Sequence, residues 1–186
     1  MRSFIAIELP ETIKKALAGF QQELGKCGAD VRWVRPDNIH LTLKFLGDIE
    51  EDKADIIAEK IKGTCKGQSG FKLGISGTGV FPNKRAPRVL WAGIELNGGI
   101  KSLQEGIEEA MASLGFEREK RRFSPHLTLG RFRSSRGKQA VLDKMDAYTE
   151  NIFGLMNVKS VLLMRSELEP KGAKYTKIAE AILNPK

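Results

Sequence analysis

Asn38-Ile39-His40-Leu41-Thr42-Leu43-Lys44-Phe45 and Ser124-Pro125-His126-Leu127-Thr128-Leu129-Gly130-Arg131 share one tetrapeptide, His-Leu-Thr-Leu, and its two histidines are the only two in the chain. Alternation of polar residues with leucines predicts a half-buried strand at each copy. Successive strand side chains point to opposite faces, so His40 and Thr42 share one face while Leu41 and Leu43 share the other. The same holds for His126 and Thr128 against Leu127 and Leu129. Each copy therefore sets an imidazole and a hydroxyl about 7 Å apart along an open row. One His-x-Thr pair is an ordinary surface feature. Two identical copies that use every histidine point to chemistry.

Strands that face each other would bring four polar side chains to one cleft with leucines packed behind. Two imidazoles can act as general base and general acid, and two hydroxyls can donate to an anion between them. That equipment suits the opening of a phosphodiester without a metal.

Working outward from the motifs, Arg2 to Leu9 reads as a strand closed by Pro10, and Glu11 to Gly25 as a helix with Ile13, Leu17, Phe20 and Leu24 on one face. Val31–Val34 is a short strand, and Arg35-Pro36-Asp37-Asn38 a turn into the first histidine strand, Ile39 to Leu46. A second helix opens on Glu50, Glu51 and Asp52, carries Ile56, Ile57 and Ile61, and is expected to end near Gly63. Phe71 to Phe81 is a strand in which Gly74, Gly77 and Gly79 signal a bend or bulge. Pro82 to Arg88, basic and bracketed by proline, marks the expected boundary between lobes. Beyond it come a strand (Val89–Leu96), a helix on Ile100, Leu103, Ile107, Met111 and Leu114 with Gly115 as its stop, and a basic loop into the second histidine strand. A shorter helix (Lys138–Thr149) and two strands (Val158–Ser166, Tyr175–Ile182) joined through Pro170-Lys171-Gly172 complete the chain.

The chain repeats itself. Ala6 matches Ala92, Leu17 matches Leu103 and His40 matches His126 at one common offset. The expected architecture is α+β: a duplicated, bilobal unit about a pseudo-twofold axis, with two antiparallel sheets lining a central cleft and helices outside. Its repeats cover roughly 1–82 and 88–168, with the strand 173–183 completing a sheet, all within a single domain, 1–186. A cleft on such an axis is a common place for a ligand.

The 186 residues, 41% hydrophobic and 29% charged, describe an ordinary soluble chain of one domain. Cys27 and Cys65 are far apart and make no Cys-x-x-Cys, which fits a reduced, cytoplasmic protein. The apolar run Phe4–Ile7 is too short for a signal peptide, and no stretch reaches membrane-spanning length. The net charge of +8 is concentrated: Arg118, Lys120, Arg121, Arg122, Arg131, Arg133, Arg136 and Lys138 face a single acid, Glu119, in that segment. A basic rim on both sides of His126 suits a polyanion, and RNA is the obvious one.

These residues resemble the 2H phosphoesterase superfamily, and specifically its RNA 2′,3′-cyclic phosphodiesterases, also called 2′-5′ RNA ligases, of bacteria and archaea. The likeness runs through Phe4–Ile7, Trp33-Val34, His40–Gly47 and Ser124–Arg131. It implies metal-independent hydrolysis of an RNA 2′,3′-cyclic phosphate to a 2′-phosphomonoester, without a cofactor, by a monomer acting on RNA ends, tRNA fragments among them. It further implies that His126 accepts the proton of water, that His40 donates one to the leaving 3′ oxygen, and that Thr42 and Thr128 hold non-bridging oxygens. Arg131 matches a family arginine that binds the phosphate. Strict alternation puts Arg131 on the leucine face, so this role requires a bulge at Gly130 or an approach from the strand end. ATP-independent 2′-5′ ligation is the reverse step on the same site.

Other readings fare worse. Two histidines and two remote cysteines lack zinc-site spacing, and no Gly-x-x-x-x-Gly-Lys-Ser/Thr is present for ATP-dependent transfer. A non-catalytic RNA-binding module using the basic loop with Phe123 or Phe132 would not need two titratable groups. A related esterase acting on small cyclic nucleotides or ADP-ribose cyclic phosphate is the alternative within enzymes. Trp33, Phe123 and Tyr175 are candidates for stacking on a base and stay outside the site proper.

Overall fold

The computed structural model describes residues 1–170 and 172–185. Lys171, placed above in the last hairpin turn, lies outside the described residues.

Among the described residues, nine strands and four helices follow one another as β1 (Arg2–Glu8), α1 (Glu11–Gly25), β2 (Val31–Trp33), β3 (His40–Asp48), α2 (Lys53–Lys66), β4 (Phe71–Phe81), β5 (Val89–Ile94), α3 (Gly98–Ala112), β6 (His126–Phe132), α4 (Lys138–Asp146), β7 (Ile152–Val158), β8 (Ser160–Glu169) and β9 (Gly172–Ile182). They form two antiparallel sheets, ordered β3-β1-β8-β9 and β2-β6-β5-β4-β7. The α+β class and the paired antiparallel sheets agree with the sequence reading.

The lobe boundary does not. Pro82–Arg88 joins β4 to β5, which are hydrogen-bonded neighbours in one sheet, with Phe81 opposite Val89. Instead of passing between lobes, the chain makes a hairpin there. Its fourth strand, β4, belongs by sequence to the first repeat, yet it pairs with β5 of the second. Reciprocally, β8 of the second repeat pairs with β1 of the first, Phe4 opposite Met164. Each repeat thus lends a strand to the other's sheet. The spatial units are β3-β1-β8-β9 and β6-β5-β4-β7, with β2 added at the edge of β6. A period-2 pattern fixes which face a strand buries but not which neighbour it pairs with.

Two further departures are local. Helix α2 runs past Gly63 to Lys66 because Ile57, Ile61 and Cys65 continue one buried face at four-residue spacing, while Gly63 is exposed. Strand β7 was not foreseen: Gly154 and Asn157 dilute its β signal, and pairing with β4, Leu73 opposite Met156, supplies the order. The irregularity expected from the glycines of β4 is present as a register break between Ile75 and Thr78, where Gly77 has φ +73°.

Leu41, Leu43, Leu127 and Leu129 all enter the core behind the two histidine strands, beside Leu17 and Leu24 of α1 and Leu103 and Ile107 of α3. Helix α3 starts cleanly, the Asn97 side chain accepting from the Ile100 amide at 3.1 Å. The helices follow the exchanged strands: α3 packs on β3, and the Gln21 side chain of α1 bonds backbone in the middle of β6. Strands β3 and β6 approach within 8 Å between Cα atoms where the two sheets meet. The histidine strands are therefore neighbours across that junction.

Candidate active site

His40 and His126 are held in the same way. His40 Nδ1 lies 2.7 Å from the carbonyl of Asn38, and His126 Nδ1 lies 2.8 Å from that of Ser124. A carbonyl only accepts, so Nδ1 carries the proton in both rings and Nε2 is the free tip. A neutral ring then offers a lone pair at Nε2, and a charged ring offers a proton there. The anchor is two residues upstream in each copy, which Asn38-Ile39-His40 and Ser124-Pro125-His126 share as a local chain path.

Thr42 and Thr128 lie two residues on, half-exposed on the same faces as their histidines, while the intervening leucines are buried. The alternation breaks immediately afterwards, in both strands, at the same place. In β6 the pairing steps from Trp91–Thr128 to Leu90–Gly130, leaving Leu129 as an extra residue. In β3 it steps from Ala6–Thr42 to Ile5–Lys44, leaving Leu43. Such a bulge turns the following residues by one face. Arg131 is consequently exposed, outside the leucine face that strict alternation assigns it, and Phe45, its counterpart in the first copy, is 73% exposed. The required bulge exists, one residue before Gly130.

Arg131 also reaches the other sheet electrostatically. Burial pushes the Tyr175 hydroxyl above its ordinary range, opposed by the positive charges of Arg131 and Arg2. Tyr175, from β9, meets the His40 ring edge-on with centroids 5.1 Å apart. His40 of β3 and Tyr175 of β9 thus meet, with Arg131 of β6 near enough for its charge to act on the Tyr175 hydroxyl. The start of β9 is fixed there by Asn38, whose side-chain amide donates to the Ala173 carbonyl at 2.6 Å.

The surroundings of the two rings differ. His40 stacks on Phe4 with centroids 4.6 Å apart. Its burial there lowers its pKa below 6.5, against the hydrogen bond to Asn38, which raises it. His126 meets only the edge of Phe81, at 4.9 Å, and Phe81 in turn leans on Trp91. Phe4 and Phe81 escaped the sequence reading, since each lies far along the chain from the ring it touches and no spacing links them. Of the three stacking candidates, Tyr175 alone touches a histidine ring. Trp33 packs over Gly130, and Phe123 packs against the core beside Arg118 and Arg121. Among the described residues, no three His, Cys, Asp or Glu side chains gather as metal ligands. Burial raises the Cys65 thiol to about 11, so it stays protonated.

Comparison with known proteins agrees with this fold. The family model described as LigT like Phosphoesterase matches residues 7–91 and 94–175, two segments that follow the internal repeat. A protein of Methanothermobacter thermautotrophicus named RNA 2′,3′-cyclic phosphodiesterase is 36% identical over 176 residues, 95% of each chain. One of the same name from Methanocaldococcus jannaschii is 34% identical, covering 97% of this chain and 99% of its own. Among solved structures, TT0787 of Thermus thermophilus superposes with a TM-score of 0.84 at 30% identity over the whole of both chains. Apo LigT of E. coli gives 0.79 at 27% identity, covering 98% of this chain and 97% of its own. Paired histidine strands on exchanged sheets define a 2H phosphoesterase. The chain belongs to the LigT-like phosphoesterase family.

Proposed function

We propose that this protein hydrolyses RNA 2′,3′-cyclic phosphate ends to 2′-phosphomonoesters, as a cytoplasmic monomer. The observation that carries the reading is the matched pair of Nδ1-anchored imidazoles on neighbouring strands, with free Nε2 tips and a threonine beside each. The names of the relatives support the same reaction. His126 takes a proton from water as its oxygen attacks phosphorus; the bond from phosphorus to the 3′ oxygen breaks; His40 gives that oxygen its proton. Thr42, Thr128 and Arg131 face the charge that grows on the non-bridging oxygens, and donors already aimed there need no reorganisation. The basic segment from Arg118 to Lys138 supports RNA over a small cyclic nucleotide by attracting upstream phosphates. Ligation of 2′-5′ ends follows when an RNA 5′ hydroxyl takes the place of water in the same steps, its proton going to the base as the bond to the 3′ oxygen breaks, with tRNA fragments as one source of ends.

One observation favours the exchanged roles. Burial disfavours the charged form of His40 and so favours the neutral ring a base needs, whereas a phosphate anion in the cleft would favour its protonated form. A substrate with sulfur at the 3′ leaving position distinguishes the two. Such a group leaves without protonation, so the acid variant recovers activity on it and the base variant does not. The primary test is conversion of a short RNA with a 2′,3′-cyclic phosphate to a 2′-phosphate end in EDTA. Wild type turns over, and His40→Ala and His126→Ala do not. RNA binding without turnover by wild type would sink the proposal in favour of a binding module.

A further inference from the structure

Behind the β6 bulge sits a polar group that the reaction does not touch. Gln21 of α1 is only 8% exposed. Its amide donates to two carbonyls, those of Val34 and Leu129, each at 2.8 Å. Leu129 is the extra residue of the bulge, and the Val34 amide also donates to its carbonyl, at 2.9 Å. A bulge disrupts the ladder locally, and a buried carbonyl left unpaired there is costly. Here it has two donors. One comes from a helix of the first repeat, braced against a strand of the second.

The twin bulge in β3 is braced by other means. Lys44, inward-facing where the second copy has Gly130, donates to Glu108 of α3 at 2.7 Å and to the Glu117 carbonyl at 2.8 Å. A side chain at Gly130 is excluded, because its Cβ would lie 2.7 Å from Val31 Cγ1 and 3.0 Å from Trp33 Cε3. Gln21 therefore does from the neighbouring helix what no side chain at residue 130 can do.

We infer that Gln21 is a positioning residue: by holding the Leu129 bulge it turns Arg131 onto the face of His126 and Thr128, where it meets the phosphate. Without the bulge, Gly130 would follow Thr128 on that face and Arg131 would point with the leucines. The inference rests on the phosphate role of Arg131 proposed above.

The test is a double-mutant cycle between Gln21→Met, which keeps length and removes the donor, and Arg131→Ala. Turnover of the cyclic-phosphate RNA and binding of inorganic phosphate are both measured, the latter by titration. Q21M is expected to weaken phosphate binding and kcat/KM about tenfold in the wild-type background, as partial loss of the Arg131 contact to the phosphate implies. In the R131A background it should add less than about twofold. Gln21→Lys, which restores a donor, should recover most of the loss, and the pH profile should not move. If Q21M does not fold, Gln21→Ala at 5 °C replaces it, smaller and with no donor. Equal losses in both backgrounds, or undiminished phosphate binding in Q21M, overturn the inference. If wild type binds phosphate but turns over no RNA, the proposed function fails and the phosphate cycle alone decides the role of Gln21.

Discussion

His40 on β3 and His126 on β6 are the same device in two environments. Each ring is pinned through Nδ1 to the carbonyl two residues upstream, each is followed by a half-exposed threonine, and each strand bulges three residues on. The difference lies in what surrounds the device. His40 is wrapped by Phe4 and Tyr175 and is followed on its open face by Phe45, whereas His126 meets one ring edge and is followed by Arg131. Behind β3 lies a buried ion pair, Lys44–Glu108, with side chains 5% and 11% exposed; behind β6 lie Gly130 and a neutral glutamine. Duplication supplies the paired imidazoles. Divergence of the neighbours gives the cleft a direction, with aromatic surface on one side and a cation on the other.

The comparison breaks first at the rings themselves. His40→Ala and His126→Ala should each lower kcat by at least about a thousandfold, within the range for a positioned acid or base. The double variant should be little worse than either single one, because the two groups act in one step. Single-turnover assays of the cyclic-phosphate RNA measure this, and a purely additive double variant would show that the histidines act independently.

Next is the buried ion pair. Lys44→Met strands the Glu108 carboxylate, which has Lys44 and the Glu119 amide as its partners. The cost should be about 3–5 kcal/mol of stability by urea unfolding. The double variant Lys44→Met/Glu108→Leu should regain most of it, since two apolar residues leave no uncompensated charge. Failure to regain it would mean that the pair also orders the 117–119 segment leading to His126.

Smaller again is the exchange of the residues that set direction. Arg131→Ala should lower kcat/KM by about ten- to a hundredfold, the loss of charge-assisted contacts to a phosphate. Phe45→Ala should leave inorganic phosphate binding unchanged. Equal effects on phosphate binding would remove the asymmetry argued here.

The smallest effect is on stability against pH. The folded pKa of His40 lies below 6.5 because the ring is buried. Above pH 6.5 neither state holds the proton and the contribution to stability is complete. As pH falls through 6.5 the unfolded chain takes up a proton that the folded one refuses, so stability falls until the folded pKa is reached. Wild type should therefore lose more stability than His40→Gln between pH 7.5 and 5.5, read as the shift in urea midpoint. Identical shifts would mean that His40 is not desolvated in the folded protein.

Much of this was legible in the residues. Two His-Leu-Thr-Leu strands at one offset established a duplicated α+β chain, and alternation alone placed His40 with Thr42 and His126 with Thr128. Local spacing also set α1 to its observed ends, because Ile13, Leu17, Phe20 and Leu24 form one uninterrupted buried stripe. Those features depend on periods of two and 3.6 residues, which any chain displays before it folds.

Tertiary structure decided the rest. The exchange of β4 and β8 between repeats is a choice of partners, and alternation is indifferent to partners. The bulges that release Arg131 and Phe45 onto the open face arise where one strand has a residue more than its neighbour, a comparison no single segment contains. The rings of Phe4, Phe81 and Tyr175 reach the histidines only because strand pairing and the Asn38–Ala173 bond bring distant segments beside them. The sequence by itself determined which polar groups recur as a matched set on the two strands. Packing determined their burial, their aim and the difference between the two sides of the cleft, because burial and aim belong to neighbours distant in the chain.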